Sequence, residues 1–165
     1  MFIGNNKKNV EKIKIKTTNY KMTEPFYVIQ KKRDGILDVG IMAVVVTFLR
    51  VPITHKEVLL YLSDIETLYA KQRPFLIEYD ATRLQTAPSK AIMRQLADDM
   101  KEKEIQTKKL VVACAIVLDT KNPIGALIHT LVKSILLIRK PVCPLNFFGS
   151  VKEAESYLAT FHPKQ

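Results

Sequence analysis

Glycine is scarce in this sequence. Five glycines in 165 residues leave no phosphate-cradling loop: neither a Walker sequence nor a G-x-G-x-x-G turn is present. No G-x-S-x-G elbow occurs either. Histidine is rarer still. His55, His129 and His162 are the full set, and none has a second His or a Cys at metal-ligand spacing. Neither Cys114 nor Cys143 has a C-x-x-C partner, so neither a zinc site nor a thioredoxin-like motif is indicated. Asp98 and Asp99 are neighbours on an expected helix and face different directions, so they make no carboxylate dyad. No catalytic residue, cofactor or metal is expected, and an enzyme is the last reading in rank.

Long apolar runs are also missing. The richest stretch, 124–138, is interrupted by His129, Thr130, Lys133 and Ser134, too short and too polar to span a bilayer. The stretch from Lys7 to Lys16 offers no apolar core for a signal peptide. Both cysteines lie in apolar surroundings, where buried reduced thiols are the default. A cytoplasmic protein fits this, as does a nuclear or virion-associated one. Lysine outnumbers arginine twenty to six, which fits an AT-rich genome, bacterial or viral.

What is present is an ordinary globular composition, 47% apolar and 25% charged, in a length that builds one domain with or without a tail. The net charge of +10 is unevenly placed. Residues 1–33 carry nine Lys/Arg against Glu11 and Glu24, whereas 34–165 are only +3. Residues 1–23 read as a basic arm ahead of a domain over 24–165. Lys7, Lys8, Lys12, Lys14, Lys16 and Lys21 are its polyanion-binding candidates, for nucleic acid or an acidic membrane surface. The alternative is a solvated tail that aids solubility. Only Phe2 and Tyr20 are aromatic before residue 26, so no base-stacking platform is expected there.

Along the domain, 26–30 reads as a strand, Arg33-Asp34-Gly35 as a tight turn, and 36–49 as a second strand with Gly40 as a bulge or break. Thr54 with Glu57 is a capping box. Val58, Leu59, Leu62, Ile65, Leu68 and Tyr69 follow at helical spacing. A strand over 75–79 ends at Asp80. Ser89 caps a helix with Ile92, Met93, Leu96, Ala97 and Met100 inward. The run 110–118 is a strand buried on both faces. Asn122-Pro123 starts a helix to about Ile138. A last strand over 141–148 belongs at an edge because of Pro141 and Pro144. Ser150 and Glu153 form a second capping box before the final helix. The order ββαβαβαβα implies a mixed, mostly parallel sheet in an α/β fold.

Several of these segments resemble the STAS family, the anti-sigma-factor antagonist-like proteins, closest to its STAS/SEC14-like single-domain members. The likeness covers roughly 26–161. It rests on Val51-Pro52-Ile53-Thr54 before the first helix, on Pro74-Phe75-Leu76-Ile77-Glu78-Tyr79-Asp80, and on Phe147-Phe148-Gly149-Ser150-Val151-Lys152-Glu153-Ala154-Glu155 with Tyr157-Leu158. It implies a STAS-like sandwich with helices mainly on one face of the sheet. It also implies a non-catalytic regulatory module acting through protein–protein contacts. The antagonists carry a phosphorylatable serine nine residues after the aspartate that ends the central strand. Ser89 stands in that place after Asp80, flanked here by Pro88, Lys90 and Ala91. Asp80, Arg83, Ser89 and Lys90 are therefore a candidate phosphosite and partner loop. The residues alone favour Ser89 as a plain helix cap and Asp80 as a turn former.

The helix from Asn122 has more apolar surface than one face needs. Leu127, Leu131, Ile135 and Ile138 are the candidate interface. Three covers remain open: burial between neighbours, a second copy or protein partner, and a lipid or small apolar ligand. Lys133, Arg139 and Lys140 flank that surface and suit acidic groups or phospholipid heads.

Overall fold

The computed structural model describes residues 25–32 and 41–161. Arg33-Asp34-Gly35, Gly40, His162 and the basic arm lie outside them. Five strands, β1 (Tyr27–Lys32), β2 (Met42–Phe48), β3 (Phe75–Asp80), β4 (Val111–Val117) and β5 (Leu145–Phe148), form one sheet in the order β1-β2-β3-β4-β5. β1 runs antiparallel to β2, and every other pair is parallel. The helices are α1 (His55–Ala70), α2 (Lys90–Glu102), α3 (Glu104–Leu110), α4 (Pro123–Ile138) and α5 (Val151–Leu158). The mixed, mostly parallel sheet is the one expected. α3 was not: it follows α2 directly through Lys103, with no side-chain cap to announce it in the sequence. Leu110 ends it and enters the core.

Local chemistry explains most boundaries. Thr54 Oγ1 accepts from Glu57 N at 3.2 Å, and Glu57 Oε2 accepts in return from Thr54 N at 3.2 Å. Glu57 also accepts from Arg50 Nη2 at 2.6 Å. The Arg50 guanidinium is the main reason its carboxyl sits below the ordinary glutamate value. Of the second expected box, the bond from Glu153 N to Ser150 Oγ is formed, at 3.3 Å. β5 begins at Leu145, four residues later than the sequence pattern indicated. Pro141 and Pro144 lack the N–H a ladder needs, and Pro144 contributes only its carbonyl, which accepts from Cys114 N at 2.8 Å. As expected, β5 is an edge strand, paired with β4 alone.

The two sheet faces pack differently. On one, Val44, Val46, Phe75, Ile77, Val111 and Cys114 meet Tyr61, Ile65, Leu68 and Tyr69 of α1. Leu96 of α2 joins that cluster, and Ile128 of α4 packs with Ile116 and Leu118 beside it. On the other, Ala43, Leu76, Ala113, Ala115 and Val117 meet Ala154 and Leu158 of α5. Helices thus lie mainly on one face. The pairing of β3 with β4 shifts between Phe75 and Leu76. One extra residue in β4 at that point puts Val111 and Cys114 on the same side. In α1 the buried stripe is Val58, Tyr61, Ile65, Leu68 and Tyr69. Leu59, expected inside, is 51% exposed; Tyr61 takes its share because the helix turns that position toward the sheet.

α4 is seated by one close approach. A Cβ on Gly125 would lie 2.0 Å from the Asp119 carbonyl oxygen, so only glycine fits there. Helix propensity alone would make Gly125→Ala stabilising by about 1 kcal/mol. We expect the opposite sign, a loss of about 1–3 kcal/mol from steric overpacking. A thermal melt checks it: a Tm equal to or above that of the parent chain would show that α4 does not rest on Asp119.

Candidate functional site

The helices on the crowded face do not close onto the sheet. Between that face and α1, α2 and α4 lies a cavity of about 750 Å³. Its floor is Phe75, Ile77, Tyr79, Cys114 and Ile116, and its walls include Tyr61, Leu96, Ala97, Val132 and Ile135. α4 explains the space. Its buried residues, Gly125 and Ile128, are both in its first half. Beyond them Leu131, Val132, Ile135 and Leu136 are half-buried, and Leu137 and Ile138 are 83% and 85% exposed. The helix is anchored at its start and stands off the sheet at its end.

Aromatic rings line one wall. Phe48 stacks on Tyr79 at 6.0 Å between centroids and packs against Tyr61 at 5.8 Å. Burial raises the Tyr61 and Tyr79 phenols above their ordinary value, and the two hydroxyls interact with each other. Both rings therefore stay neutral across the physiological range. Tyr69 and Thr107 share a hydrogen bond of 2.8 Å at another point of the wall. Charged groups collect where α2 ends, α3 begins and α4 ends: Lys101, Lys103, Glu104, Arg139 and Lys140. Arg139 pairs with Asp98 at 3.2 Å, and Lys103 pairs with Glu66. Lys101 and Lys140 have no acidic partner among the described residues. Burial raises Asp99 at this rim, opposed by the nearby Lys103.

The residues singled out in the sequence divide around this cavity. Asp80 turns into its own loop: its Oδ1 accepts from Thr82 N at 3.0 Å and from Thr82 Oγ1 at 2.7 Å. Ser89 caps α2, its Oγ accepting from Ile92 N at 3.3 Å. Arg83 and Lys90 are exposed. The loop reaches the cavity only through Ala81, Leu84 and Pro88. Ser89 borders a separate recess with His55, Arg94, Gln95 and Asp98. Ile135 and Ile138 of the expected α4 interface line the cavity, whereas Leu127 is 47% exposed and Leu131 half-buried. Glu78 is buried on the α5 side of the sheet, opposite Tyr79. His129 packs edge-on against Phe147 at 4.7 Å. Tyr61, Tyr79 and Thr107 were not anticipated as site residues. Tyr79 carried a signal only as part of the strand over 75–79, and Tyr61 and Thr107 carried none in the apolar patterns. The lysines Lys7 to Lys21 lie outside the described residues.

No family model matches the chain, and no curated protein matches it. Among solved structures it is similar to an uncharacterized protein of the DUF3478 family from Shewanella loihica PV-4, described as having a SpoIIAA-like fold. The identity is 16% and the TM-score 0.54, over 83% of this chain and 98% of that one. That likeness establishes the fold: this chain has a SpoIIAA-like architecture, as its resemblance to STAS proteins implied.

Both thiols line the cavity. Burial pushes Cys114 well above its ordinary value and raises Cys143 as well. A raised thiol is a poor nucleophile at neutral pH. With iodoacetamide, half-buried Cys143 should react slowly and Cys114 only after denaturant is added. Peptide mapping that found Cys114 modified rapidly in the folded chain would contradict a dry cavity floor.

Proposed function

We propose that this domain is a non-catalytic binding module that holds an apolar, chain-like molecule between its sheet and α1, α2 and α4. The cavity of about 750 Å³ carries the reading. Protein interiors otherwise pack to crystal-like density. A largely apolar space of this size, with a few polar groups on its walls, is the form small-molecule sites take at roughly 300–1,000 Å³. Tyr61, Tyr69, Tyr79 and Thr107 are the polar groups that orient the ligand. The module is regulatory through α4. The ligand touches Val132, Ile135 and Leu136, so occupancy biases where the second half of α4 sits. Leu127 and Leu131 on the same helix then present that state to a protein partner or a second copy. Asp80, Arg83, Ser89 and Lys90 form a further contact surface for such a partner.

A dansylated fatty acid should bind the full chain with enhanced, blue-shifted emission. Native mass spectrometry of freshly purified protein should show a co-purified apolar adduct. Ala97→Phe fills part of the cavity from α2. Excluding two ligand methylenes costs about 1.6 kcal/mol, so the probe should bind about tenfold more weakly or worse, with Tm unchanged or higher. Equal probe affinity in parent and variant would sink the reading.

Charge favours a second reading that the cavity does not address. We infer that residues 1–33, at +7, attach the chain to nucleic acid through Lys7, Lys8, Lys12, Lys14, Lys16 and Lys21. Binding to duplex DNA should then fall steeply with salt, with a log–log slope near −0.9 per phosphate neutralised, and should vanish when residues 1–23 are removed. Binding that ignores salt, or survives the deletion, removes the arm from the account.

A further inference from the structure

We infer that the C-terminal end of α4 is a membrane-contact surface that docks on an anionic bilayer. Leu137 and Ile138 are consecutive, 83% and 85% exposed, and stand at the tip of the helix. Exposed single hydrophobic residues need no explanation, but adjacent large ones at a helix end do. Met100, 46% exposed on α2, lines the cavity together with Ile138. The ion pair between Asp98 of α2 and Arg139 at the α4 C-cap holds these ends together.

The charge that α4 itself brings to that tip is of one sign. From the start of α4 to β5 the chain carries Lys133, Arg139 and Lys140 and no acidic residue; the acids at this rim, among them Glu104 and the Asp98 that pairs with Arg139, come from α2 and α3. Lys133 and Lys140 have no acidic partner among the described residues. Cations at a helix C-terminus are favoured by the helix dipole. The dipole accounts for Arg139 and Lys140 but not for the bare Leu137 and Ile138 beside them. Apolar side chains flanked by unpaired lysines match the acyl boundary and the anionic headgroups of a lipid surface. A second copy fits less well. A two-fold contact through this tip would set Lys133, Arg139 and Lys140 against their own equivalents. No helix among the described residues is long and apolar enough to cross a membrane, so the contact is interfacial.

Ile138, Arg139 and Lys140 also line the cavity. Docking at this end therefore brings the cavity mouth to the lipid surface, and a chain-like ligand can pass between them without crossing water. The docking surface extends the cavity reading without depending on it.

The sequence contains no tryptophan, so Leu137→Trp places a single reporter at the tip. With vesicles of phosphatidylcholine and phosphatidylglycerol, its emission should shift to the blue and be quenched by brominated acyl chains. With phosphatidylcholine alone, neither change should occur. The pair Leu137→Ser and Ile138→Ser should weaken co-sedimentation with the anionic vesicles about tenfold, in keeping with interfacial binding that scales with buried apolar area. The paired variant should still bind the dansylated fatty acid, so failure of docking and failure of the cavity reading are distinguishable. Both positions are exposed, and circular dichroism of the variants checks that they fold. Full-strength vesicle binding by the serine pair would assign lipid attraction to the basic arm and overturn the inference. An unshifted tryptophan on vesicle-bound protein would overturn it too. So would a dimer in ultracentrifugation that the serine pair dissolves while vesicles bind neither form.

Discussion

The two faces of the central strands carry side chains of different size, and the rest of the structure depends on that difference. Ala43, Ala113 and Ala115 line the α5 side, and Ala154 faces them from the helix. Small residues on both partners let α5 settle directly on the sheet, and Ala113, Ala115 and Ala154 are fully excluded from water. The opposite face carries Phe75, Ile77, Val44 and Val46, met by Tyr61 and Tyr69. Large rings on both partners set the spacing between the sheet and α1. A helix between such spacers cannot fill the layer unless its own side chains are large and inward along its whole length. α4 meets that condition only through Ile128. The cavity is the geometric remainder of one tightly packed face and one propped-open face.

Much of this architecture is legible in the chain. The continuous apolar run over 110–118 and the caps Thr54, Ser89, Asn122 and Ser150 mark elements that the structure contains, because each rests on chemistry local to a few residues. Asn122 Oδ1, for example, accepts from Ile124 N at 2.9 Å with Pro123 in the first turn. The less legible features are those set by distance across the fold. α3 has no cap of its own, and it forms because Leu110 is drawn into the core between α2 and β4. The irregular pairing at Val111–Ala113 depends on β3, not on β4 alone. Tyr61 looks like a boundary residue in a helical pattern, and only its contact with Phe26, Tyr27 and Phe48 shows it to be a core ring.

The candidate site was legible as a surplus and not as a shape. More apolar residues on 124–138 than one helical stripe can use show that something must cover them. Whether that cover is protein or ligand depends on the tilt of α4 relative to the sheet, and the tilt is set by one glycine. Gly125 brings the start of the helix onto the Asp119 carbonyl, while its end is tied to α2, through Arg139 and Asp98, and not to the sheet. A rigid rod fixed at one end opens toward the other. The exposure of Leu137 and Ile138 and the half-burial of Ile135 follow from the same tilt.

The polar groups of this space divide between its interior and its rim. At the carboxyl ends of the parallel strands, where α/β folds commonly place reactive groups, the carboxylates are engaged locally. Asp80 accepts from Thr82, and Asp119 Oδ1 accepts from Lys121 N at 3.1 Å. Inside the cavity the titratable walls are phenols and thiols, and burial pushes every shifted one upward: Tyr61, Tyr69, Tyr79, Cys114 and Cys143. Groups raised in this way keep their protons at neutral pH and can donate hydrogen bonds. The fixed charges stay at the rim, where water or headgroups can solvate them. An apolar interior with neutral hydrogen-bonding walls and a cationic edge matches a molecule with an apolar body and an acidic or polar end. That is the same chemical gradient a lipid surface presents to the tip of α4.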